Sequence, residues 1–151
     1  MITLEQIQAE HARIGALIAA LQAPAQTTVQ WRLHEAHIEL QPGERYAGLA
    51  LDANGQASHH LVLLPGEATD ITWPDATAWA EKAGGTLPTR QEQALLYANL
   101  KAEFQPHWYW SSEEHENGSG AWFQHFDSGF QYVYHYERYV GRARAVRRFP
   151  A

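Results

Sequence analysis

The sequence predicts an α+β protein whose elements run helix, sheet, two helices, sheet. Three observations carry that prediction. The first twenty residues repeat apolar side chains at three- and four-residue steps, which is the helical period. Residues 45–64 read as two alternating or apolar runs joined around Asn54-Gly55, a dipeptide suited to the tight turn of a hairpin. From Trp108 onward β-prone runs alternate with turn residues, and in "FQYVYHY" (130–136) an aromatic falls at every second position, the strand period.

Taken in order, "ITLEQIQAEHARIGALIAALQAP" is the clearest helix, with Thr3 as N-cap, Gln6 completing a capping box and Pro24 limiting the far end. Leu4, Ile7, His11, Ile14, Ile18 and Leu21 follow strict heptad spacing with one polar position, His11. Residues 1–23 therefore form an N-terminal amphipathic helix, and homo-oligomerisation through residues 3–21 stands beside docking of the helix on its own domain. A binding domain over residues 29–151 follows. Its first stretch, "VQWRLHEAHIEL", can be extended, and the hairpin comes next. "TWPDATAWAEKAGG" then predicts a helix from Pro74-Asp75 to Gly84-Gly85. "LPTRQEQALLYANLKAEF" predicts another, with Thr89 and Glu92 as a second capping box. The strands "WYWSS", "AWFQHF", "FQYVYHY" and "GRARAVRR" complete the chain.

Composition narrows the function. The chain has 151 residues, 45 % hydrophobic and 19 % charged, enough for one ordinary domain with a core. A net charge of −6 argues against nucleic acid as a partner, although Arg138, Arg142, Arg144, Arg147 and Arg148 gather near the C-terminus. With no cysteine there is no disulfide, thiol nucleophile or thiolate metal site. No secretory signal and no long apolar run is visible, so the expectation is no membrane insertion and a cytoplasmic location in the producing cell, with virion association as an extension.

The nine histidines invite a metal. On strands, however, His34 and His37 point to opposite faces, as do His59 and His60, so neither pair is a ready chelate, and no metal or other cofactor is expected. Glu113, Glu114, Glu116 and Asn117 lack the spacing of a calcium loop and read as an acidic turn. There is no Gly-x-Ser-x-Gly elbow and no phosphate-binding glycine loop. Trp108, Trp110 and Trp122 are expected in or near the core, and Arg144 and Arg147 as braces of the terminal strand. Along 130–136 the expectation is a buried Phe130, with the later tyrosines opening progressively to solvent.

Two blocks then suggest a family. "AWAEKAGGTLPTRQEQALL", followed by "WYWSS", "AWFQHFDSGFQYVYHY" and "RARAVRR", resembles the Lcl C-terminal domain family, many of whose members are encoded by phages and prophages. The resemblance spans about Tyr46 to Arg148. It implies a C-type-lectin-like fold, a twisted antiparallel sheet with two flanking helices, related to formylglycine-generating enzymes and to retroelement-diversified variable proteins. The cysteine pair of the formylglycine-generating enzymes is missing, so their activity does not carry over. Nor are the calcium-lectin motifs present, since "WPD" (73–75) lies at a helix start.

The function expected from these readings is a non-enzymatic, phage- or prophage-type binding module for a host cell-surface protein or glycan. Its ligand-binding residues are expected to be His115, Asn117, Phe123, His125, Tyr132, Tyr134, His135, Tyr136 and Tyr139. The alternatives are an intracellular phage-encoded regulator or inhibitor that binds a host protein, and a metal-dependent enzyme on a formylglycine-type scaffold.

Overall fold

The computed structural model describes residues 3–22, 37–135 and 138–151. It divides into two compact units, Met1–Leu33 and His34–Ala151. The first contains α1 (Leu4–Gln22), whose start is fixed as the sequence predicts. The Gln6 amide donates to Thr3 Oγ1 at 3.3 Å and the Thr3 amide to Gln6 Oε1 at 3.0 Å, so the box satisfies two N–H groups that the first turn leaves open. None of the helix's residues is buried.

The second unit contains β1 (Arg45–Leu51), β2 (Ala57–Leu63), β3 (Ala68–Ile71), α2 (Trp73–Lys82), α3 (Arg90–Leu100), β4 (Trp108–Glu114), β5 (Ala121–His125), β6 (Gln131–Tyr134), β7 (Gly141–Ala143) and β8 (Val146–Pro150). It is an α+β architecture with two sheets. One has the order β1-β2-β8 and the other β3-β7-β4-β5-β6. All pairings are antiparallel except β4 with β7, which meet in parallel at Tyr109 and Arg142. The β1–β2 hairpin closes where the sequence places it: Asp52 Oδ1 accepts from the amides of Asn54 and Gln56, both at 2.9 Å, and Gly55 takes the φ of 75° that the turn requires.

The helix pair starts close to where the sequence predicts, and the Thr89–Glu92 capping box forms, whereas Thr72 makes no side-chain capping bond. Thr72 precedes α2, with Pro74 in its first turn, while Thr89 Oγ1 accepts from the Glu92 amide and Glu92 Oε2 from the Thr89 amide at the start of α3. Several expectations need correction. Residues 37–40 carry no strand, and the rest of "VQWRLHEAHIEL", including His34, lies outside the described residues. The strand β3 was not expected. Glu113 and Glu114 belong to β4 rather than to the acidic turn, and "GRARAVRR" is two strands in two different sheets.

The core has two parts, organised by the alternation of "WYW". Tyr109 points into a cluster with Ala47, Leu61, Leu63, Leu96, Phe104, Phe126 and Val146. Trp110, one residue on, points to the opposite face of β4 and packs with Leu64, Ala76, Ala80, Leu87, Phe123, Ala143 and Ala145. Arg144 braces the terminal segment as expected, donating to the Glu103 carbonyl at 2.6 Å and the Leu64 carbonyl at 3.1 Å. Arg147 likewise holds Glu44 at 2.5 Å and the Glu39 carbonyl at 3.1 Å.

Candidate functional site: an aromatic plate on the second sheet

The site is built on β4, β5 and β6, whose register places Phe123 opposite both Trp110 and Tyr132, and Ala121 opposite Tyr134. These residues share one face with Trp108. The other face carries Tyr109, Gln124, Gln131 and Val133. Gly120, just before β5, admits this close pairing, since a Cβ there would stand 2.3 Å from the Tyr134 carbonyl oxygen.

The covering helices decide what each face becomes. α2 packs against β3, β4 and β7, and so closes the aromatic face at its Trp110 end. There the Trp110 indole N–H donates to the Ile71 carbonyl at 2.9 Å, and the Trp73 indole donates to the Ser111 carbonyl at 2.8 Å. Toward β6 the same face is open. Phe130 is 59 % and Tyr132 50 % exposed, and Tyr139 and Val140 are exposed beside them.

The exposed rings form a connected plate. Trp108 stacks on Phe123 with centroids 4.5 Å apart and meets His125, Tyr134 and Phe130 edge-on at 5.0, 6.3 and 6.5 Å. Phe130 stacks with Tyr132 at 6.1 Å, Tyr132 lies 5.2 Å from Tyr134, and Tyr134 lies 4.2 Å from Tyr139. Each ring is held by its neighbour, so little rotamer freedom remains to be lost when a partner covers the surface.

The far face carries Gln124 and Gln131 beside Tyr109, Trp122 and Val133, and α3 packs on it at β4 and β5. Gln93 Nε2 donates to the Tyr109 carbonyl at 2.8 Å, and Gln124 Nε2 to the Gln93 carbonyl at 3.4 Å. Gln131 Nε2 reaches Gln124 Oε1 and the Arg90 carbonyl, both at 2.8 Å, while Arg90 Nε donates to Gln131 Oε1 at 3.1 Å. The Arg90 guanidinium lies 3.5 Å over Trp122, and His115 is 5.9 Å from the same indole.

Of the residues expected to bind, Tyr132, Tyr134, Tyr139 and His125 come together in the plate. Tyr136 lies outside the described residues. His135 is exposed just beyond β6, its carbonyl accepting from the amides of Arg138 and Tyr139 in the following turn. Phe123 is a correction: at 3 % exposure it is core, clamped between Trp108 and Trp110, because its alternation puts it under the covered part of the face. His115 and Asn117 lie in the β4–β5 loop, His115 beside Trp122 on the opposite face from the tyrosines. The order of burial along 130–134 is also reversed. Phe130 is the more open end and Tyr134 is partly buried, because β6 is an edge strand and its start stands clear of α2. Trp108 and Phe130, expected in the core, are the missed members of the plate; the period-two pattern places Phe130 with the tyrosines but does not say how far α2 reaches.

Two further charged groups, Glu92 and Glu67, are tied into the fold. Glu92, 1 % exposed, accepts from Arg148 at 2.5 and 2.7 Å, from His59 Nε2 at 2.7 Å and from the Thr89 amide at 2.7 Å. Burial alone would raise its pKa, but the Arg148 and Thr89 hydrogen bonds outweigh that and hold the carboxyl below the usual range. Tyr109 donates to Glu67, which also pairs with Arg142 at 3.0 Å; burial first, and the Glu67 bond second, push the phenol up to about 12. Among the described residues no three His, Asp or Glu side chains converge as a metal site would need. No helix among them is long and apolar enough to cross a membrane.

Fold and site together define a small α+β domain presenting a rigid aromatic plate at a sheet edge. Comparison with family models gives no match for the chain, and comparison with curated proteins gives none either.

Proposed function

We propose that the chain is a non-enzymatic binding module on a C-type-lectin-like scaffold, of the phage or prophage type its two sequence blocks resemble, and that it recognises a cell-surface protein or glycan. One observation carries this reading: the connected, half-exposed rings of Trp108, Phe130, Tyr132, Tyr134 and Tyr139, flanked by His125. A contiguous aromatic surface rimmed by polar groups suits an interface, because rigid rings bring apolar area while tyrosine hydroxyls satisfy polar partners.

The test is binding of the purified chain to surface preparations of candidate host cells, before and after protease treatment and before and after periodate treatment. Loss after protease identifies a protein partner and loss after periodate a glycan. Phe130→Ala and Tyr132→Ala should each weaken binding by about 2 kcal/mol, roughly thirtyfold. Binding that survives both substitutions would remove the plate from the function.

A further inference from the structure

We infer that α1 is a self-assembly segment that joins three or four copies of this chain in a parallel bundle, which goes beyond the binding role of the second unit. The helix runs unbroken from Leu4 to Gln22, so all six heptad positions, Leu4 through Leu21, fall within one regular element. None of its residues is buried, and Leu4, Ile7, Ile14, Leu17, Ile18 and Leu21 are between 48 % and 87 % exposed. Together they offer on the order of 700 Å² per chain, close to the ~800 Å² each partner brings to an interface of standard size. A helix of this length is marginal alone in water, and its stability comes from covering such a stripe.

The occupant is a further copy of the same helix, because the stripe matches itself. At three–four spacing Leu4, His11 and Ile18 take the a positions and Ile7, Ile14 and Leu21 the d positions, so in a parallel bundle each layer meets its own kind. The number of copies follows from side-chain shape. Paired helices favour leucine at d, where the knob points directly at the partner backbone, whereas β-branched isoleucine at d fits the wider axis of three or four helices. Two of the three d residues here are isoleucine. Leu17, exposed on the flank beside the seam, agrees, since a flanking apolar residue is covered when a third helix packs alongside. Few charges oppose the assembly: the flank carries Glu10, which already pairs with Arg13 of its own helix at 3.8 Å. His11 is the polar layer, which fixes register at a cost in affinity. Assembly of this kind multiplies the aromatic plates presented to a surface, and avidity then exceeds the affinity of one plate wherever the linkers allow simultaneous contact.

The experiment is sedimentation equilibrium of the full chain at pH 7.5, from about 1 to 100 μM. The expected particle contains three or four chains. Ile14→Asn should return it to monomer with tryptophan fluorescence and the thermal transition of the second unit unchanged. His11→Ile should lower the dissociation concentration at least about tenfold while the particle keeps the same number of chains, which non-specific aggregation would not do. Tyr132→Ala should leave the mass unchanged, separating this inference from the binding role. A monomer at ~0.1 mM, a particle of two chains, or an assembly that survives Ile7→Asn/Ile14→Asn would each overturn it.

Discussion

The two faces of the β4–β5–β6 sheet are made from the same three strands and finish as opposites. One carries Gln124 and Gln131, which link to each other and to Gln93 of α3 with their amides paired to carbonyls. The other is a row of aromatics, closed where α2 reaches it and open where it does not. Gln124 is thus buried and Gln131 half-buried on one face, while Phe130 and Tyr132 stand in water on the other, against the usual preference of polar and apolar side chains. Buried polar groups are tolerated where they are paired, and here the Nε2 groups of all three glutamines are, although Gln93 Oε1 is buried without a partner. Aromatic groups left in water cost the fold stability it could have had, which is why a connected patch of them calls for a partner.

The covered end of the aromatic face is the most sensitive to substitution. Phe123→Ala or Trp110→Ala should destabilise the domain by about 3–5 kcal/mol in chemical denaturation, because the first empties a site between two stacked rings and the second a fully buried site stacked on Phe123. Next comes the anchor of α3, the helix that packs on the other face. Glu92→Gln keeps the shape but leaves Arg148 without its carboxylate, and a loss of about 2–4 kcal/mol is expected at pH 7. The pH dependence gives the sign. A carboxyl whose pKa is lowered on folding stabilises the folded state fully above its unfolded value of about 4.3 and loses that contribution as pH falls through the folded value. Wild-type stability should therefore fall below about pH 4 more steeply than that of Glu92→Gln; parallel slopes would mean the ion pair contributes no linkage.

A smaller effect is expected within the glutamine chain. Gln131→Leu removes the donor to Gln124 Oε1 and to the Arg90 carbonyl, at a cost of about 1–2 kcal/mol, with α3 retained. Smallest of all are Phe130→Ala and Tyr132→Ala, which should shift stability by about 1 kcal/mol or less while changing binding most. Losses there as large as those at Phe123 would show that the open end of the plate is closed by something other than a separate partner.

Local rules were legible wherever the cause was local. The start of α1 at Thr3, the capping box of Thr89 and Glu92, the turn at Asn54-Gly55 and the shared face of Phe130, Tyr132 and Tyr134 all follow from spacing along the chain, because the atoms that decide them are within a few residues of one another.

Burial along a shared face was not legible in this way. Phe123 and Tyr132 sit opposite each other in adjacent strands, yet one is core and the other half-exposed, and the difference lies in α2, some forty residues earlier in the chain and packed only against part of the sheet. The pairing of Glu92 with Arg148 and His59 spans three elements and follows no spacing rule. The sequence by itself determined the three helices, the β1–β2 hairpin, the capping boxes at Thr3 and Thr89 and which aromatics share a face, since those depend on backbone period and short-range hydrogen bonds. Only the tertiary structure decided how far the helices reach over the sheet, and so which of the aromatics hold the fold together and which face outward, because coverage depends on where distant segments come to rest.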